Sequence, residues 1–209
     1  MFGYSKIDWG TALTEKNEEF EYFCRLRNIL LPGLLNKRWL VAPVLKRCAA
    51  KFGQRILEVG SGTGSGILGA YPDKVTGIDI NRHAVEYCLE RRYKACLIKP
   101  TELFPFADGF FDVCVLDNVI EHIADSKHTI DECLRVTKTR GGLILVVPGK
   151  KGFDSDSDHK KFYGQNELAV LDQRIILTKL FSLPIFFKSN FIASVFASYC
   201  LVAVYRKKS

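Results

Sequence analysis

The 209-residue chain predicts a doubly wound α/β domain: a mostly parallel sheet, helices ahead of it, and an antiparallel edge strand at the C-terminal end. Two observations carry that expectation. Short apolar segments recur between residues 55 and 147 with helix-length spacers between them, the rhythm of β-α-β units. Among them, Val113 to Leu116 and Leu143 to Val147 are apolar without alternation, as strands covered on both faces must be. A composition of 47% hydrophobic and 25% charged residues is ordinary globular usage and excludes disordered, collagen-like and low-complexity chains.

The elements come in this order. Between Glu15 and Gly53, Phe20, Phe23, Leu26, Ile29, Leu30 and Leu31 recur at helical spacing, with a break at Pro32-Gly33 and a second helix expected over Leu34–Ala50. Residues 1–53 are therefore read as an N-terminal helical cap, and 54–209 as the α/β domain, the two forming one compact unit. Strands are expected at Arg55–Val59, Val75–Ile80, Ala95–Ile98, Phe111–Leu116 and Leu143–Val147. Helices are expected at Arg82–Arg92, around Thr129–Val136 and over Asn166–Leu177, with Cys200–Tyr205 as the closing edge strand. Lys150–His159 reads as a polar loop, which puts His159 and Tyr163 in solvent.

Charge and cysteines narrow the setting. Net charge is +3 over residues 1–50, −1 over 51–149 and +5 over 150–209, so a near-neutral middle lies between basic ends. Such ends suit an anionic surface, but without a run of five basic residues a solvated basic face is the favoured reading; nucleic acid is not expected as a partner. Seven cysteines with no C-x-x-C pair argue against a disulfide framework and a zinc ribbon, so no metal is expected and a reducing, cytoplasmic setting is. From Leu180 to Tyr205 only Lys188 is charged, but Pro184, Lys188 and several serines interrupt the stretch. Buried core is the first reading for it. A surface that touches lipid or covers substrate is the second, with peripheral membrane contact as its consequence.

The first strand runs into I-L-E-V-G-S-G-T-G, Ile56 to Gly64. Glycines at alternate positions after a buried strand permit a tight turn and close approach of a ligand to the backbone. Glu58 lies inside that strand, and a buried carboxylate needs a cationic or donor partner. Asp79 ends the second strand, nineteen residues after Gly60, where an acid accepts from ribose hydroxyls. Glycine turn and strand-end acid together specify a nucleoside-containing cofactor on a Rossmann-like sheet. A dinucleotide fingerprint would need a third glycine where Ser65 stands, which disfavours the alternative of a nicotinamide-dependent oxidoreductase.

The E-x-G-x-G-x-G form resembles class I S-adenosylmethionine-dependent methyltransferases. Thr101 to Ile123 and Arg135 to Pro148 are similar to segments of the type 11 methyltransferase family, so the resemblance spans about 54–148. The resemblance implies S-adenosylmethionine as cofactor. It assigns Glu58, Gly60, Ser61, Gly62 and Gly64 to the methionine end, Asp79 to the ribose, Ile80 to the adenine face and Thr101 to the adenine edge. Asp117 and Asn118 would lie beside the amine and the reacting methyl. Lys99-Pro100 replaces the family's Gly-Asp before Thr101, leaving Glu102 as a substitute acceptor, and K-T-R-G-G replaces K-P-G-G. His122 and His159 are the candidate bases. For His122 the competing reading is a helix-start pair with Glu121 that orders the loop. The implied acceptor is small or lipid-linked, of saccharide or quinone type; a cofactor-binding domain without catalysis is the remaining alternative.

Overall fold

The computed structural model describes residues 40–183 and 199–209. The first cap helix, most of the second, and Phe186, Phe187, Phe191 and Phe196 lie outside these residues. What is described of the cap is α1 (Ala42–Ala49), with Pro43 in its first turn and Leu45 and Ala49 buried against the sheet.

Seven strands form one sheet in the order β3-β2-β1-β4-β5-β7-β6. The parallel part comprises β1 (Ile56–Val59), β2 (Val75–Asp79), β3 (Lys94–Leu97), β4 (Phe111–Asp117) and β5 (Thr137–Pro148). The antiparallel edge expected of the C-terminal segment is present as a pair. β7 (Cys200–Lys207) lies against β5, and β6 (Ile175–Leu183) lies outside it.

Side-chain alternation sorts the core into two layers. Leu57, Val59, Cys114, Leu116, Leu143 and Leu145 face α4 (Lys127–Val136) through Ile130, Cys133 and Leu134. Ile56, Val113, Val115, Ile144 and Val146 face α1, the single turn α2 (Ile67–Ala70) and α3 (Arg82–Glu90). Asn81 caps α3, its side-chain oxygen accepting from the Ala84 N–H at 3.2 Å. The order of strands reverses between β1 and β4, the switch point where open α/β sheets leave a crevice at the strands' C-terminal ends.

Three expectations are corrected. The helix over Asn166–Leu177 is only α6 (Gln165–Ala169); from Ile175 the chain is strand. Asp172 accepts from the Arg174 N–H at 2.7 Å, which turns the chain, and the β-branched Ile175, Ile176 and Thr178 suit an extended edge. The fifth strand, expected from Leu143, begins at Thr137, and K-T-R-G-G lies inside it as a bulge: Phe111 pairs with Thr137 but Val113 with Gly142, and Arg140 has φ +63°. The polar stretch from Lys150 opens with α5 (Lys150–Asp154), and the chain beyond that helix is not all solvated: Tyr163 is buried, its hydroxyl 2.9 Å from Ser126 Oγ.

Leu180 and Phe181 of the apolar C-terminal stretch lie in β6 and pack on the core; residues 200–205 lie in β7 and are buried. Among the described residues no helix is long and apolar enough to cross a membrane, and none of the cysteines is in a disulfide.

Candidate functional site

The glycine loop leaves β1 at the switch point. Gly60, Gly62 and Gly64 have φ of +70°, +51° and +70°, the left-handed region that only glycine enters freely. At Gly60 the absence of a side chain also matters for packing, because a Cβ there would stand 2.4 Å from Val119 Cγ2. The loop and the turn that comes after β4 are therefore in direct contact.

Glu58 is 2% exposed, and its partners are the loop's own backbone. Oε1 accepts from the Ile67 N–H at 3.2 Å and Oε2 from the Leu68 N–H at 2.8 Å, so the carboxylate holds the start of α2 over the strand. Asp117 ends β4 on the same face of the sheet, since Glu58 pairs with Val115 two residues earlier. The two carboxylates converge over Gly66: a Cβ there would lie 2.2 Å from Glu58 Oε1 and 3.7 Å from Asp117 Oδ2. Two buried carboxylates at one point favour a cationic guest.

Asp79 is the third acid of the crevice. Its Oδ2 accepts from the Gly62 N–H at 2.6 Å and Oδ1 from the Asn81 N–H at 2.8 Å, linking loop to strand end. Burial pushes its carboxyl up from the ordinary aspartate value, opposed by the N–H groups of Asn81, Gly62 and Ile80. A carboxylate offers about four lone-pair positions, so capacity remains for a hydroxyl group. The next residue, Ile80, is 60% exposed, an apolar side chain left open beside a nucleoside-type acid.

Asn118 comes after Asp117 at φ +53°, its amide donating to Asp117 Oδ1 at 3.0 Å. Thr101 and Glu102 lie on an exposed turn. Glu102 pairs with Lys99 at 2.8 Å, which holds its carboxyl below the ordinary range; that contact turns it to Lys99, not to the crevice. The loop after that turn is pinned by α4. Glu132 accepts from the Phe104 N–H at 2.6 Å and takes a two-pronged contact from Arg135, whose guanidinium also donates to the carbonyls of Phe104 and Phe106.

The two candidate bases meet. His122 ends the 3-10 turn Ile120–His122 after β4, and its ring centroid lies 4.6 Å from that of His159. His159 is not in solvent. Its side chain is 7% exposed, stacked on Phe153 with centroids 5.1 Å apart. The backbone explains the correction: the N–H groups of Lys160 and Lys161 donate to the Glu121 carbonyl at 2.7 and 3.1 Å, clamping the loop to the turn. The buried Glu121 completes the cluster and is the member that sequence reasoning assigned only to helix-start ordering. No sequence signal ties Glu121 to His159; the contact is purely tertiary.

The crevice thus has a backbone cradle, a hydroxyl acceptor, an open apolar wall and a negative floor. Comparison with known proteins agrees. Residues 57–145 match the family model described as the methyltransferase domain. These residues are similar to S-adenosylmethionine-dependent methyltransferase domains. The 27-O-demethylrifamycin SV methyltransferase of Amycolatopsis mediterranei is 31% identical over 134 residues, 57% of this chain and 49% of that one. A ubiquinone/menaquinone biosynthesis C-methyltransferase of Geotalea uraniireducens is 28% identical over 153 residues, 64% of this chain and 65% of its own length. The chain spans about half the length of the first curated relatives it matches, 41 to 49%. For the fold, an S-adenosylmethionine-dependent methyltransferase from Aquifex aeolicus superposes with a TM-score of 0.65 at 18% identity, over 88% of this chain and 97% of that one.

The cofactor of this family fits the methyltransferase domain's residues. Its methionine end carries an ammonium and a sulfonium, the cations that the floor of Glu58 and Asp117 favours. It has no pyrophosphate to demand a third glycine at Ser65.

Proposed function

We propose that this chain transfers the methyl group of S-adenosylmethionine to a hydroxyl oxygen of an acceptor of lipid-linked, saccharide or quinone type. The observation that carries the cofactor half is the convergence of Glu58 and Asp117 over Gly66 beside the left-handed glycine loop. When bound, the cofactor supplies an electrophilic methyl on a sulfonium, so no residue need activate the methyl itself. The chain's share is placement. The carboxylates of Glu58 and Asp117 draw the ammonium to the floor, Asp79 accepts the ribose hydroxyls, and Ile80 covers the adenine. Asn118, at the end of β4, borders the space between cofactor and acceptor. Placement of this kind supplies about 7–11 kcal/mol in favourable cases.

The acceptor half is supported by the cluster on the turn beyond Asn118. Glu121 and His122 lie on that turn and His159 is docked against it, and a neutral hydroxyl, the weakest nucleophile of the candidates, gains most from a base that takes its proton as the methyl arrives. The two named relatives act on oxygen in one case and carbon in the other, so the cluster is what favours oxygen here. The basic C-terminal third suits an acceptor with an anionic or lipid portion.

The experiment has two parts. Calorimetry with S-adenosylhomocysteine and with NAD should show binding of the first alone; binding of NAD alone ends the methyltransferase reading. Radiolabelled methyl transfer should then go to the lipid fraction of a cell extract and be released by chemistry that cleaves methyl ethers. Label confined to water-soluble amines or to carbon would overturn the acceptor class while leaving the cofactor reading intact.

A further inference from the structure

The loop that docks on the turn after β4 brings three metal-ligating side chains together from segments far apart in the chain. We propose that Glu121, His122 and His159 hold a divalent cation of the first transition row, with a coordination position left open toward the acceptor. One ligand atom from each residue lies within 4.8 Å of the other two. Glu121 is 1% exposed, so its carboxylate is withdrawn from water next to two imidazoles.

The state of His159 is specific. Its Nδ1 lies 2.8 Å from the Phe153 carbonyl oxygen, which can only accept, so Nδ1 carries the proton and the neutral ring keeps its lone pair on Nε2. A histidine that ligates a metal characteristically donates its other ring N–H to a carbonyl or carboxylate in this way. On His122, Nδ1 is buried, and Asp158 Oδ2 stands 3.3 Å from it. Asp156 Oδ2 lies 3.8 Å from His159 Nε2. Around the imidazoles the facing charges are thus carboxylates, with Lys160 paired to Asp158 at 3.1 Å.

Two imidazoles and one carboxylate suit zinc, cobalt, iron(II) or manganese, whereas calcium and magnesium sites are built from oxygen. Three protein ligands leave a fourth position free. With ligand bonds of about 2.0–2.2 Å, the atoms of a tetrahedral site stand about 3.4 Å apart. Closing from the 4.8 Å limit is a matter of side-chain rotation, because the Lys160 and Lys161 N–H groups already fix the two segments. The consequence rests on the methyl-transfer reading: a hydroxyl at the open position becomes more acidic, and its proton passes to water on the exposed Asp158 side.

The test is titration of the purified full chain with Co²⁺, then visible absorption and displacement with Zn²⁺. One equivalent should bind, with the visible bands of low-coordinate cobalt on nitrogen and oxygen. His159→Ala and His122→Gln should each weaken binding by more than about tenfold, while S-adenosylhomocysteine binding and thermal unfolding show that the domain is intact. No visible band with wild-type protein, equal binding by both variants, or an intense near-ultraviolet thiolate band would overturn the site. Cobalt binding without S-adenosylhomocysteine binding would support the site and overturn the methyl-transfer reading; the reverse pattern would do the opposite.

Discussion

Asp79→Asn separates the two tasks of the strand-end acid. In the wild-type domain the carboxylate accepts from the Gly62 and Asn81 N–H groups and keeps lone-pair capacity for a ribose hydroxyl. Asparagine has a single acceptor oxygen, and its amide would face one of those N–H groups. At least one hydroxyl then loses a bond to a charged acceptor, worth about 1.5–3 kcal/mol, or a roughly 10- to 150-fold rise in the Kd for S-adenosylhomocysteine. Stability should fall by less than the same bonds suggest, because the substitution also removes a charge that burial already disfavours. About 1–2 kcal/mol is expected, a drop in Tm of roughly 2–8 °C for a domain of this size. The pH dependence provides an independent readout. Burial raises the folded carboxyl, and ligand hydroxyls favour the ionised form. Affinity should therefore rise with pH through that raised value and then level off, losing strength on acidification earlier than an ordinary aspartate would. Calorimetry across pH for both proteins checks this. An asparagine variant that binds as tightly as wild type, or that keeps the same pH profile, would show that the ribose is held elsewhere.

Packing sets two further outcomes. Gly60→Ala should cost about 2–5 kcal/mol in chemical denaturation, combining a left-handed backbone penalty with a Cβ 2.4 Å from Val119, and should weaken cofactor binding because the loop must shift. Arg135→Ala leaves the buried Glu132 without its guanidinium, which should cost about 3–5 kcal/mol. Arg135 holds the Glu132 carboxyl below its ordinary value, so that pair's stabilisation is complete above the ordinary glutamate range and lost as pH falls through the depressed one. The acid-unfolding midpoint should accordingly move up in the variant.

Much of the domain was legible because its local signals agree. The runs at Val113–Leu116 and Leu143–Val147, and the glycines after Glu58, specify buried parallel strands and a ligand turn without reference to distant residues. Where local and tertiary signals conflict, the reading failed. Asn166–Leu177 has helical spacing for one turn, but Ile175 onward pairs with β7, a partner that no local pattern announces.

The sequence by itself determined the α/β class, and its glycine turn after Glu58 and strand-end Asp79 pointed to a nucleoside-containing cofactor, because each depends on spacing along one strand and its loop; Asp117 followed only from the family resemblance. Only the tertiary structure decided what those acids touch. Glu58 binds the N–H groups at the start of α2 and Asp79 that of Gly62 in the glycine loop, contacts set by how this segment closes over the sheet. It alone also brought His159 against Glu121 and His122. That contact depends on the Lys160 and Lys161 N–H groups finding the Glu121 carbonyl across the fold. Backbone hydrogen bonds between distant segments carry no residue-type signature, so a buried cluster held together by them could not be read from the order of residues.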